Sequence, residues 1–249
     1  MEIKKDFASF QAWVNILRTI SEEQIIVADE QGLHVVGMDP SHVAMINTDF
    51  NKELFESYEA EEDDKIAINV NEFYRFLDRA KKEERVLIEK DEKNARLLLT
   101  VKKGTRVREF RIPTLADTDS EVPDPKIFFK AKSRITWEGF NLGLNDANLV
   151  SEHIVLDYKG SLMKLEGYGD MGDAFAQWDE DSDDILKLVI DEDSKATYTL
   201  SYIMDIVKAV KPLAEVLTIE LATDMPIKIE AECIPGIKAE FYLAPCIGV

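Results

Sequence analysis

INVNEFYRFLDRAKK (68–82) is matched 130 residues further on by YTLSYIMDIVKAVKP (198–212). Phe73, Phe76, Leu77 and Ala80 of the first stretch correspond to Ile203, Ile206, Val207 and Val210 of the second. Apolar residues at three- and four-residue steps predict a helix in each. Working outward, Phe7, Phe10, Val14, Leu17 and Ile20 form an earlier stripe, answered at the same offset by Trp137, Phe140, Leu144, Ala147 and Val150. QIIVAD (24–29) becomes HIVLDY (153–158), and alternating runs follow each helix: RVLIEK and LLLTVKK in one half, VLTIEL and IKIEAE in the other. DEQG, DEKN and CIPG supply turns. One helix-and-strand pattern has been used twice. The expected fold class is α+β: two similar domains, each with two helices packed on antiparallel sheets. The domains are placed at 1–114 and 128–249. LADTDSEVPDPKI (115–127), with Pro123 and Pro125, reads as the extended connector.

The composition narrows the function. The 249 residues carry a formal charge of -19, with 45% apolar and 32% charged side chains. Such a balance opposes phosphate-rich partners unless cations are gathered locally. The charge is uneven: 18 basic against 23 acidic residues up to Pro113, then 12 against 26 beyond it. Two cysteines, Cys233 and Cys246, make no disulfide framework and no zinc pattern. MEIKKDFASF lacks the apolar core of a signal peptide, and no apolar run approaches the roughly 20 residues of a membrane span. The expectation is a cytoplasmic protein without membrane partners, nuclear in a eukaryote.

A catalytic site is not expected. His34, His42 and His153 have no metal-ligand spacing, and no phosphate-binding loop or nucleophile elbow occurs. GYGDMGD (167–173) reads as a turn or strand edge. DEDSDD (179–184) has carboxylates at alternate positions but lacks the central Gly and terminal Glu of a calcium loop. It reads as a solvated loop; a metal-dependent hydrolase built on it is the competing interpretation. No cofactor or metal is expected.

The helix faces opposite the apolar stripes are poor in acids. Gln11, Asn15 and Arg18 lie on the first, with Asn141, Asn145 and Asn148 at their repeat positions. Arg75, Arg79, Lys81 and Lys82 lie on the next helix, and Lys208 and Lys211 on the last. Such faces suit sequence-independent, salt-sensitive contact with phosphates. Two further segments complement each other. RVREFRI (106–112) is basic, through Arg106 and Arg108 beside Phe110, whereas DMGDAFAQWDED (170–181) is acidic and holds Asp173, Phe175 and Trp178. A basic and an acidic edge strand suggest head-to-tail association of copies, closing into a ring.

The chain resembles the sliding clamps of archaeal and eukaryotic DNA replication, the proliferating cell nuclear antigen family, in its archaeal form. GLHVVGMDPSHVAMI (32–46), LADTDSEVPDPK, ATDMPIKIEAE (222–232) and the terminal FYLAP carry the resemblance in order. It implies a ring-forming trimer around duplex DNA that confers processivity on DNA polymerase and has no enzymatic activity. It implies DNA contact by Arg18, Arg75, Arg79, Lys81, Lys82, Arg106, Lys208 and Lys211. It implies a subunit interface of Arg106, Arg108, Phe110, Asp173, Phe175 and Trp178. It also implies a pocket through which polymerase, flap nuclease, ligase and clamp loader dock short peptides. That pocket would comprise Met38, His42, Val43, Met45, Val122, Pro123, Pro125, Pro226, Tyr242, Leu243, Ala244, Pro245 and Ile247. A homotrimer is favoured over one subunit of a heterotrimer or a checkpoint-type clamp. The chain departs from the family at Asn141, Asn145 and Asn148, where basic residues are expected, and at Cys246, where a Lys commonly follows LAP.

Overall fold

A computed structural model describes residues 1–3, 6–60, 64–81, 83–116, 122 and 125–248. In chain order the elements are β1 (Glu2–Ile3), α1 (Phe7–Leu17), β2 (Glu23–Ala28), β3 (Gly32–Met38), β4 (Ala44–Asn51), β5 (Asp64–Asn69), α2 (Val70–Leu77), β6 (Arg85–Asp91), β7 (Arg96–Lys103) and β8 (Arg106–Pro113). They continue with β9 (Ala131–Thr136), α3 (Trp137–Ala147), β10 (His153–Lys159), β11 (Leu162–Gly169), β12 (Gly172–Trp178), β13 (Ile185–Ile190), β14 (Ser194–Thr199), α4 (Leu200–Val210), β15 (Ala214–Leu221), β16 (Ile227–Cys233) and β17 (Ile237–Leu243). Two compact units result. The first comprises Met1–Pro40, Ile46–Val122 and Ile234–Lys238; the second comprises Ser41–Met45, Pro123–Cys233 and Ala239–Val249.

The units repeat one topology. In the first, strands run β4-β3-β2-β5 and β1-β6-β7-β8; in the second, β12-β11-β10-β14 and β9-β15-β16-β17, with β13 added beside β9. The 130-residue shift carries β5 onto β14 and α1 onto α3 residue for residue. The strands pair in antiparallel register, with Ile25 opposite Ala67 in the first unit and Val155 opposite Thr197 in the second.

Each helix buries most of the stripe that its spacing predicted, with Phe76, Trp137 and Val150 half-buried. Phe7, Phe10, Val14, Leu17 and Ile20 are buried, joined by Ala12, Trp13 and Ile16. Phe10 sits at the centre of an aromatic cluster with Trp13, Phe50 and Phe55, ring centroids 5.3–5.9 Å away. In α3, Phe140, Leu144 and Ala147 are buried, and in α4 so are Ile203, Ile206, Val207 and Val210.

Two helix boundaries differ from expectation. Residues 1–20 are not one helix, because Glu2 and Ile3 pair with β6. The stretch 68–82 is helical only over Val70–Leu77; Ile68 and Asn69 finish β5. The Asn69 side chain accepts the Glu72 N–H at 3.0 Å, starting the helix there by capping an otherwise unpaired donor. Arg79 and Lys81 therefore stand in the turn after α2 rather than on its face.

Size is exchanged between helix and strand across the repeat. In the first unit Trp13 of α1 is fully buried and its Nε1–H donates to Thr48 Oγ1 of β4 at 2.9 Å. At the corresponding positions stand Gly143 of α3 and Trp178 of β12. A Cβ on Gly143 would meet Trp178 Cη2 at 2.9 Å. The indole comes from the helix in one unit and from the strand in the other, and the facing position is small in both, as close packing demands.

Candidate nucleic-acid and partner surfaces

The helix faces of the first unit form one polar network. Gln11 Nε2 donates to Asp78 Oδ1 at 2.9 Å, and Arg18 Nε donates to Asn71 Oδ1 at 2.8 Å. Arg18 also donates to Asn15 at 3.0 Å and lies over the Tyr74 ring at 4.4 Å. A cavity of about 550 Å³ opens beside it, lined by Arg18, Glu72, Tyr74, Arg75, Phe76, Asp78, Arg79 and Phe110. Arg18, Arg75, Arg79 and Lys81 are exposed. Lys82 lies outside the described residues. In the second unit Lys208 and Lys211 are both exposed, and Lys211 places its ammonium 3.4 Å from the Trp137 ring centroid.

The free edge β8 is basic, but two of its charges are already compensated. Glu84, with a side chain only 1% exposed, receives Arg106 Nη2 at 2.8 Å and Arg108 Nη2 at 2.5 Å. Burial pushes its carboxyl up; the Lys81 N–H and both guanidinium groups more than offset that and hold it below the usual carboxylate range. This corrects the expectation for Arg106 as a free phosphate ligand: its first partner is Glu84. Arg108 Nη1 also donates to the Arg79 carbonyl at 3.0 Å, and the Phe110 ring packs tilted at 38° against Phe76, centroids 5.4 Å apart. The edge strand is thus fixed against the α2 end. Glu84 was passed over in the sequence, where KKEE reads as an undifferentiated charge run.

The other edge, β12, exposes Asp173 and Phe175, with Tyr168 packed edge-on to Phe175 at 5.7 Å. Met171 at the hairpin tip is 96% exposed, and Leu149 after α3 is 82% exposed. Trp178 is not part of that surface: it is 7% exposed and fills the space over Gly143. GYGDMGD is, as expected, a strand end and a turn between β11 and β12.

In the second unit the uncharged tail is pinned beside the 41–45 segment. The Ala244 N–H donates to the Val43 carbonyl at 2.8 Å, and the Cys246 N–H to the Thr197 carbonyl at 2.8 Å. Tyr198 OH donates to the Met225 carbonyl, preceding Pro226, at 2.7 Å. His42 is exposed with φ 57°, a left-handed conformation that a non-glycine residue adopts only when its surroundings hold it. Val43, Pro125, Pro226, Tyr242, Ala244 and Pro245 are half-buried, and Ile247 is 85% exposed. Met45 and Leu243, at 6% and 1% exposure, are core residues and not pocket walls; strand alternation turns Leu243 inward, whereas Met45 is buried on the face of β4 opposite Ala44 and Ile46. Met38 and Val122 are half-buried and belong to the first unit; Pro123 lies outside the described residues.

The acidic loop is organised as a turn and a cap. Asp179 accepts from Ser182 Oγ at 2.9 Å, and Thr136 Oγ1 donates to Asp184 at 2.5 Å beside the N-terminus of α3. Among the described residues no group of three or more His, Cys, Asp or Glu could hold a metal ion. No helix among them is long and apolar enough to cross a membrane. His34 bridges Asp29 at 3.0 Å and Asp49 at 2.8 Å, tying β3 to β4 and to the turn after β2.

Family models for the proliferating cell nuclear antigen match the chain twice, the N-terminal domain over residues 3–122 and the C-terminal domain over 129–246. The chain belongs to the proliferating cell nuclear antigen family. Among its relatives, the DNA polymerase sliding clamp of Nitrosopumilus maritimus is 32% identical, covering 94% of this chain and 93% of the relative. That of Methanococcus vannielii is 31% identical, covering 96% and 95%. A solved proliferating cell nuclear antigen from Thermococcus kodakaraensis superposes with a TM-score of 0.89 at 19% identity, covering 98% of this chain and 99% of that one. A PCNA2–PCNA3 complex from Sulfolobus tokodaii gives 0.86 at 22%, with the same coverage. The family fold, two domains with four helices and antiparallel sheets, is the fold of this chain.

Proposed function

We infer that this chain is a sliding clamp for DNA polymerase: a processivity factor, not an enzyme, that encloses duplex DNA without reading its sequence. The observation that carries the reading is the duplicated fold along the whole chain, shared with relatives named as DNA polymerase sliding clamps. Domains at 1–114 and 128–249, joined by the connector 115–127, agree with that division of labour. Copies join head to tail into a homotrimer, the edge β8 with Arg108 and Phe110 meeting the edge β12 with Asp173 and Phe175. Charge complementarity favours that pairing.

Arg18, Arg75, Arg79, Lys81 and Lys208 are the cations available to phosphates. Within the second unit, His42, Val43, Pro226, Tyr242, Ala244, Pro245 and Ile247 form the docking surface for partner peptides. Proline and a pinned tail limit the ordering cost of such docking. Polymerase, flap nuclease, ligase and loader would compete for it. The test is primer extension on a singly primed circular template, with polymerase and loader from a related archaeon. Adding the protein lengthens the products of each binding event; unchanged product lengths contradict the reading.

A further inference from the structure

The two units differ in charge at three of four matching positions. Shifting by 130 residues, Arg18 becomes Asn148, Arg75 becomes Asp205, Arg79 becomes Ala209 and Lys81 becomes Lys211. Gln11 and Asn15 become Asn141 and Asn145, so amides persist where the cations do not. Helix α3 carries Glu138 and Asp146 and no Lys or Arg. Of the two cations on and after α4, Lys211 is held over the Trp137 ring. In the first unit, among the described residues, no carboxylate is ion-paired with Arg18, Arg75, Arg79 or Lys81. Arg18 is held only by neutral partners, Asn15, Asn71 and Tyr74.

We propose that phosphate neutralisation by this clamp rests chiefly on Arg18, Arg75, Arg79 and Lys81 of the first unit, with Lys208 adding to them from the second, and that the Asn141–Asn145–Asn148 stripe is an uncharged face past which the duplex moves. The inference rests on the duplex-binding reading above. A cation at a phosphate releases condensed counterions and gives binding its salt dependence; an amide donates a hydrogen bond to the same oxygen without doing so. The acidic excess of the chain then has a place. It falls in the second half, where it costs the complex little because few cations there are available to a phosphate. Asp205 and Asp146 would oppose such a grip, and their exposed positions on α4 and α3 are compatible with weak contact only.

The test is the salt dependence of affinity for a fluorescein-labelled duplex oligonucleotide, measured by anisotropy between about 50 and 200 mM KCl. Arg75→Ala with Arg79→Ala is expected to flatten the slope of log affinity against log salt by about 0.9 for each lost contact. Lys211→Ala is expected to leave the slope unchanged. Lysine at Asn141, Asn145 and Asn148 together is expected to steepen it, since a neutral face beside the duplex becomes a charged one. An unchanged slope in the arginine variant overturns the proposal, as does a loss in Lys211→Ala equal to that of the arginines. An unchanged slope in the triple-lysine variant overturns the role given to α3. If the unaltered protein shows no salt-dependent binding at all, the duplex-binding reading itself fails, a result distinct from the other three.

Discussion

The first and second units share a topology and differ in almost everything that topology leaves open. Trp13 on a helix faces Thr48 on a strand in one; Gly143 on a helix faces Trp178 on a strand in the other. The buried volume is conserved while the element supplying it is exchanged. A duplicated fold thus constrains the sum of two facing side chains more tightly than either one. Outside the core the units diverge without such compensation. Glu84, which holds two edge-strand arginines, corresponds to Ala214, and His34 with its two aspartates corresponds to Lys164 with no equivalent cluster. The first unit therefore carries two pH-sensitive ties that are not repeated at the matching positions of the second, where Arg134 instead holds the Glu232 carboxyl below its usual range.

The comparison can be broken most forcefully at the indoles. Trp13→Ala is expected to cost about 3–5 kcal/mol in urea or thermal unfolding, and Trp178→Ala a similar amount. A much smaller loss for Trp178 would show that the two do not fill equivalent space. Glu84→Gln is expected to cost about 2 kcal/mol, since two charge-assisted hydrogen bonds weaken at a buried carbonyl position. Its carboxyl is held below the ordinary 4.5. That stabilisation is complete above 4.5 and is lost as pH falls through the lower folded-state value. Between 4.5 and that lower value, stability of Glu84→Gln should accordingly fall less steeply with pH than that of the unaltered chain, and parallel curves there would refute this role for Glu84.

Gly143→Ala comes next, at about 1–2 kcal/mol, because the new Cβ presses on the Trp178 ring; a neutral or stabilising result would mean that the ring can shift. His34 gives the smallest effect. Partial burial lowers its pKa, but the bonds to Asp49 and Asp29 and their charges outweigh that and hold it above the ordinary 6.5. Its contribution is full below 6.5 and fades as pH rises through the raised folded value. His34→Asn should remove under about 1 kcal/mol of stability at pH 6 and almost none at pH 9. Equal losses at both would assign His34 a packing role instead.

Periodicity alone made the helices and the duplication legible, since a buried stripe must recur every three or four residues whatever else changes. The helix ends were less legible. The α2 stripe continues through Ala80, but capping by Asn69 and the turn at Asp78 set the helix itself at Val70–Leu77. Among candidate site residues, type was a poor guide to exposure. Met45, Leu243 and Trp178 suit a contact surface by chemistry, yet all three are buried, Leu243 and Trp178 by strand alternation. Arg106 reads as a free cation because its partner, Glu84, lies 22 residues away in a mixed-charge run. The Lys211–Trp137 contact spans the two helices of its unit, so no local pattern could announce it.

The proposed head-to-tail pairing of copies rests on the difference between the two edges, β8 basic and fixed by Glu84, β12 acidic and apolar at its tip. Light-scattering mass across a dilution series tests that most directly. Three chains of 28.3 kDa give about 85 kDa, the mass expected to persist on dilution. A species that stays at 28.3 kDa at every concentration would contradict self-assembly through these edges.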